Sequence, residues 1–221
     1  MTSKLKEGVM QGVFTLCACV SILAVALICI FLFANGVPTL FKIGPLKFLL
    51  GTTWKPGNDI FGILPMILGS IYVTAGAILV GVPIGLLTAV FLSKAANPKL
   101  RTVVVTAIEL LSGIPSVVFG LLGMQVLVPA VAKVFGKASG ACLLSAIVVL
   151  SVMILPSIVS VSVTALNAVP PEYEQGSLAL GATNTETWFK ISIPAAKSGI
   201  AAGVVLGIGR AIGEAMAIIM V

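Results

Sequence analysis

The chain has 221 residues, of which 59% are apolar and only 9% charged, with a mean hydropathy of +1.21. A soluble domain carries about 25% charged residues, so a soluble enzyme, a disordered tail and a DNA-binding domain are excluded and an integral membrane protein is indicated. The net charge of +6, from 13 Lys and Arg against 7 Asp and Glu, sits on cations scattered singly between apolar runs. Those cations mark membrane topology rather than a nucleic-acid surface.

Residues 8–41, 60–93, 110–132 and 138–171 contain no charge, and a bilayer crossing takes about 20 residues. Helices are expected near 11–34, 61–93, 101–134 with a break, 141–167 and 199–221. Lys4 and Lys6 precede the first, as in a signal peptide, but its apolar core is too long and lacks a small-residue cleavage site, so it reads as a membrane helix. The four cysteines (Cys17, Cys19, Cys29, Cys142) lie in apolar stretches without a CxxC motif. They read as buried reduced thiols, and no metal site is expected.

With the N-terminus inside, the inner segments hold Lys4, Lys6, Lys94, Lys99, Arg101, Lys190 and Lys197, and the outer ones Lys42, Lys47, Lys55, Lys133 and Lys137. The short loop 94–101, with three cations and no anion, is the strongest marker of the inner side. Asn35 to Asp59 is an outer loop. A short helix from Thr39 to Leu50 is expected there, interrupted by Gly44 and Pro45, with Trp54 at headgroup level. This loop either packs on the bundle or docks a partner. The domain reading is a first helix plus outer loop over 1–60 and a core over 61–221. Five crossings end at Val221 in an apolar run without a flanking charge, so the chain is expected to lack at least one further helix.

The inner segment 168–198 reads as helix, turn, helix. Pro170 and Pro171 suit a helix start, with Glu172 and Glu174 in the first turn, where they favour the helix dipole. Gly181 can end that helix in a left-handed conformation. Thr183 and Glu186 have capping-box spacing, Trp188, Phe189, Ile191 and Ile193 give the second helix an apolar side, and Pro194 is expected to stop it. Acidic and small residues, rather than the Lys and Arg of a bilayer-surface helix, point to a protein partner.

This segment resembles the EAA loop of ABC-transporter permeases. Gly181, Ala182, Ile191, Ile193 and Pro194 stand at matching positions or beside them. Gln175, followed by Gly176 and Ser177, occupies the place of the family's glutamate, and Glu174 lies one residue early. In that family the loop seats on the ATP-binding subunit. The runs FGILPMILGSIYVTAGAILVGVPIGLLTAVFLSK (61–94), ELLSGIPSVVFGLLG (109–123) and LGIGRAIGEAMAIIMV (206–221) are similar to the phosphate-specific permeases of the PstC type. The resemblance covers most of residues 54–221. It implies an all-α, polytopic transmembrane helix bundle of the ABC importer permease type. Its implied partners are a second permease subunit of PstA type, two ATP-binding subunits of PstB type, an extracytoplasmic phosphate-binding protein of PstS type, and membrane lipid. Phosphate is the implied cargo, in the cytoplasmic (inner) membrane of a bacterium.

Three ionisable residues lie in apolar segments: Glu109, Arg210 and Glu214. A charge at the bilayer centre costs at least about 2.5–3.5 kcal/mol, so each is expected to face a cavity or a partner. Arg210 and Glu214, four apart, are expected to share a helix face. They form either a packing pair or, as the resemblance implies, part of an anion path in which the guanidinium replaces phosphate's lost water. Glu109 can instead snorkel or cap Arg101. Gly203 with Gly207, and Gly209 with Gly213, form G-x-x-x-G pairs suited to close helix approach. Gly113 and Pro115 break the third span, as a kink or a hinge.

No Walker A motif occurs, and without His no Ser/His/Asp or Cys/His set is possible. The chain is not read as an enzyme and no cofactor is expected, so ATP hydrolysis falls to separate subunits. Sulfate or molybdate is the alternative cargo. A secondary carrier without an ATPase is the alternative class.

Overall fold

A computed structural model describes residues 2–221, with side chains over 6–221. Two compact units are present, Met1–Ile67 and Leu68–Val221.

In the first unit, α1 runs over Thr2–Ile43, well beyond the expected 11–34. Gly36 and Pro38 do not stop it. In lipid, ending the helix there would leave further backbone groups without partners, so membrane helices run through both residue types more often than soluble ones. At 1.5 Å per residue its 42 residues span about 63 Å, roughly twice a hydrocarbon core. Thr39 therefore belongs to α1, and the separate outer helix, α2, is only Pro45–Leu50. Gly44, at φ +92°, makes the turn between them. Beyond α2 the sequence reading missed a small antiparallel ribbon, β1 (Trp54–Lys55) with β2 (Ile60–Phe61), closed by a 3₁₀ turn. Trp54 meets Phe61 edge to face, with centroids 5.7 Å apart.

The second unit is organised around α7 (Leu143–Asn167), most of whose inward positions are buried. α3 (Leu64–Val90) lies along it. Gly81 and Gly85 of α3 leave room for Ile154 and Ile158. The third span is split into α4 (Pro98–Gly113), α5 (Ser116–Leu122) and α6 (Val128–Phe135). The break falls at Ile114, whose ψ of 128° is extended. Pro115 disfavours the helical conformation in the residue before it. Asn97 caps α4, accepting from the Leu100 N–H at 2.8 Å. Val104, Val105 and Ile108 of α4 pack beside Val159, Val163 and Leu166 of α7.

After α7 come α8 (Pro171–Ala179), α9 (Asn184–Thr187), α10 (Ile193–Ala195), α11 (Lys197–Gly213) and α12 (Met216–Met220). Phe119 of α5, Val149 and Met153 of α7 and Ala217 of α12 form one core cluster. Among the described residues three π-helical turns interrupt the helices, at Phe91–Ala95, Gly123–Leu127 and Trp188–Ser192. Among the described residues four helical stretches are long and apolar enough to cross a membrane, and a fifth counts if Asn184–Ala195 and Lys197–Gly213, bent by 73°, are taken together.

As expected, the helical run Asn184–Ala195 ends one residue after Pro194, where the chain bends. Two further expectations are corrected. The last span is not continuous over 199–221. The cysteines are all exposed on the chain's surface: a thiol is apolar enough to face lipid and needs no protein core.

Candidate functional site

The inner loop forms from local chemistry. Pro171 opens α8 with Glu172 and Glu174 in its first turn. Gly181, at φ +88°, makes the left-handed turn that a side chain with a Cβ resists. Thr183 then caps α9. Its hydroxyl accepts from the Glu186 N–H at 3.3 Å, and Glu186 Oε2 accepts from the Thr183 N–H at 3.0 Å. The Thr183 N–H and hydroxyl, each donating to Glu186 Oε2 at 3.0 Å, and then Lys190 at 3.4 Å, hold the Glu186 carboxyl below the usual carboxylate range. Ser177 and Thr187 hydroxyls, 2.9 Å apart, join α8 to α9.

This leaves a distinctive outer face. Gln175 and Gly176 are exposed, and Leu180 is 91% exposed although apolar. A cleft of about 290 Å³ is lined by Ser177, Leu180, Gly181, Ala182, Glu186 and Ile191, with Lys190 at its edge. Pro194 is exposed and Ile191 half-buried. Glu174 faces the other way. It is half-buried, forms an ion pair with Lys94 at 2.5 Å and accepts from the Ser192 hydroxyl at 2.8 Å. In the sequence Lys94 reads only as a topology marker, and Ser192 carries no signal. No local pattern marks them, because their partner lies 80 and 18 residues away.

The intramembrane charges are arranged differently from the sequence expectation. Gly203 of α11 seats on Val161 of α7, and Gly207 on Ile158 and Ile154, near the middle of α7. Arg210, half-buried, lies one turn beyond Gly207 along α11. Glu214 does not share its helix face. α11 ends at Gly213 and Glu214 is extended, at φ −83°, ψ 107°. A glycine in the last turn weakens the helix there, and the i, i+4 geometry is lost. Among the described residues neither Arg210 nor Glu214 makes an ion pair. Glu109 is exposed on α4, just over a turn before the break at Ile114, and forms no ion pair with Arg101.

Of the two glycine pairs, only 203/207 packs within the chain. A Cβ at Gly209 or Gly213 would meet nothing within 4 Å. Gly113 ends α4 in open space, and Pro115 precedes α5. No cluster of metal-ligating side chains occurs among the described residues.

A bundle of membrane-crossing helices with a half-buried arginine and a structured inner loop defines a multi-pass membrane protein. The family profile described as "Binding-protein-dependent transport system inner membrane component" matches residues 81–221. The chain belongs to this family, the permease subunits of ABC importers, and is a multi-pass protein of the inner membrane.

A probable ABC transporter permease protein of Bacillus subtilis, YqgH, is 41% identical over 213 residues, covering 95% of this chain and 69% of that protein. The phosphate transport system permease protein PstC of Mesorhizobium japonicum is 34% identical over 213 residues, covering 88% of this chain and 65% of that protein. The chain thus spans about two thirds of the length of these relatives. A solved structure of the MetNI methionine ABC transporter in an inward facing conformation matches with a TM-score of 0.57 at 24% identity, over 68% of this chain and 73% of that one. That likeness concerns the fold. The expected all-α permease architecture and membrane location are borne out by the family, the relatives and the helices.

Proposed function

We propose that the chain is the phosphate-conducting permease subunit of an ATP-driven importer, with residues 61–221 as its core. The observation that carries the reading is Arg210. A guanidinium in an apolar helix that forms no ion pair within the described chain is costly unless an anion or a partner group meets it. Phosphate suits it, because its oxygens accept two parallel N–H bonds and so replace lost hydration. Relatives named PstC support the cargo; sulfate and molybdate are the competing oxyanions. Glu214 and Glu109 lie on or near the path in this reading.

The exposed face of α8 to α10, with Gln175, Gly176, Leu180, Gly181, Ala182, Ile191 and Pro194, seats on an ATP-binding subunit. A second permease of PstA type, a pair of PstB-type ATPases and a PstS-type binding protein complete the assembly. Gly209 and Gly213, open on this chain, lie against the second permease. Gly113 and Pro115 act as the hinge in the third span.

The test is phosphate uptake by cells that lack their own system, complemented with the full-length gene and its partner subunits, with sulfate and molybdate as competitors. Uptake that resists both, stops on ATP depletion and is abolished by Arg210→Gln with the complex still assembling supports the reading. Unchanged uptake by Arg210→Gln removes Arg210 from the path, and uptake driven only by an ion gradient removes the importer reading.

A further inference from the structure

The inner loop is tied covalently at two places: to α7 through residues 168–170, and to α11 through the bend at Ala196. A body held at two points can still rock about the line that joins them. A third attachment, off that line, removes the freedom. Glu174 supplies one. Its Oε1 takes the Lys94 ammonium at 2.5 Å and the Ser192 hydroxyl at 2.8 Å. One carboxylate oxygen thereby joins α8, the turn before α10 and the inner end of α3. Next to it the Ser93 hydroxyl donates to Asn167 Oδ1 at 2.8 Å, fixing the same end of α3 to the end of α7.

Both of Glu174's partners stand on π-helical turns, Lys94 on Phe91–Ala95 and Ser192 on Trp188–Ser192. One extra residue in a helix rotates all later side chains by about 100°, and such turns concentrate at functional positions. In each segment the inserted residue re-aims a side chain. The two re-aimed side chains meet on a single carboxylate. The pair is also shielded, the side chains of Lys94 and Glu174 being only 13% and 22% exposed. An ion pair so shielded is screened less by salt than a surface one. Glu174 thus points inward, whereas Gln175 beside it is exposed, and the two adjacent residues have separate tasks.

We infer that Lys94, Glu174 and Ser192 form a latch that makes the inner loop one rigid body with α3, so that a push on the loop is delivered to α3 as well as to α7 and α11. All three act as positioning residues, and Glu174 is the centre. α3 can carry that displacement because Gly81 and Gly85 key it to Ile154 and Ile158 of α7. The inference rests on the reading of the chain as an ATP-driven permease.

The experiment uses the full-length permease with its partner subunits, purified and reconstituted in liposomes. It compares wild type with Glu174→Gln, Lys94→Met, Ser192→Ala and the exchanged pair Lys94→Glu/Glu174→Lys. Phosphate moved per ATP hydrolysed is measured, together with amide hydrogen exchange over 171–195. Glu174→Gln and Lys94→Met are expected to lower the transport-to-hydrolysis ratio at least fivefold while the ATP-binding subunits still co-purify. Ser192→Ala should lower it less, and exchange over 171–195 should quicken in all three. The exchanged pair should return the ratio to within about twofold of wild type.

An unchanged ratio in the single variants overturns the latch. So does a loss that accompanies failed co-purification and is not recovered by the exchanged pair, because that is the mark of a merely structural contact. A wild-type complex that hydrolyses ATP in response to a binding protein yet moves no phosphate removes the cargo reading alone. The latch is then judged on the ratio of stimulated to basal hydrolysis, which the single variants should collapse and the exchanged pair restore. A wild-type complex with no ATP hydrolysis overturns both.

Discussion

Ile158 of α7 fills the space that Gly207 of α11 leaves open: a Cβ at Gly207 would lie 2.9 Å from Ile158 Cγ1. The same side chain meets Gly85 of α3 from the other side, where a Cβ would lie 2.9 Å from Ile158 Cγ2. One isoleucine is thus held between two glycines, and three helices share one close approach. Gly207→Val should force the helices apart and destabilise the protein by about 1–3 kcal/mol, the usual range for overpacking. Thermal unfolding of the purified complex measures it. Pairing Gly207→Ala with Ile158→Ala, which removes both Cγ1 and Cδ1 from the contact, should cost less stability than the sum of the two single changes. Additive costs would show that the strain lies elsewhere.

Arg210 and Glu214 are separated by the end of α11 and form no ion pair. Their effects on stability should therefore add. In a double-mutant cycle of Arg210→Gln and Glu214→Gln, read by thermal unfolding, the coupling term should stay below about 0.5 kcal/mol. A coupling of about 1 kcal/mol or more would mean that the two charges meet in the resting protein.

The capping box of α9 has a pH signature. Thr183 holds the Glu186 carboxyl below its ordinary range, so the folded pKa lies below the unfolded one. The stabilisation is fully present above the unfolded pKa, near pH 4–5 for a glutamate, and is lost as pH falls through the folded value. Amide exchange over 183–187, compared at pH 7 and pH 3 after correction for intrinsic rates, should show protection lost at the lower pH. Glu186→Gln should flatten that difference. Thr183→Ala removes the cap itself and should cost about 1 kcal/mol of local stability at pH 7.

Gly181 and Gly176 lie five residues apart in one loop and should respond differently to alanine. Gly181 has φ +88°, a conformation that L side chains resist, whereas Gly176 is helical with open space around its would-be Cβ. Gly181→Ala should destabilise the loop by about 1 kcal/mol. Gly176→Ala should be neutral or slightly stabilising by helix propensity. Gly176→Leu should leave the isolated permease stable and weaken co-purification of the ATP-binding subunit, because bulk is added only on the exposed face. Retention of that subunit at wild-type levels would place the docking face elsewhere.

Much of the inner loop was legible in the sequence because its determinants are local. Pro171, Gly181, Thr183 and Glu186 act within five residues of themselves and hold the positions their spacing predicts. The break at Gly113 to Pro115 was legible for the same reason. Pro194 was legible too, since the helical run ends one residue beyond it, whereas the π-helical turn before it carries no sequence signal. The ribbon of Trp54–Lys55 with Ile60–Phe61 was missed because two-residue strands are too short to show alternation. The cysteines were assigned to a core because an apolar residue in a soluble protein belongs there. Lipid offers the same residues an apolar surface.

The sequence alone determined the solvent. With 59% apolar and 9% charged residues, the chain has to satisfy its backbone hydrogen bonds internally within lipid, and uninterrupted helices do so from local geometry. Only the tertiary structure decided the fate of the charges. Glu174 meets Lys94 across 80 positions of the chain, while Arg210 and Glu214, four apart, do not meet. Ion pairing depends on where helices end, turn and pack, and those placements arise from contacts among segments remote in sequence.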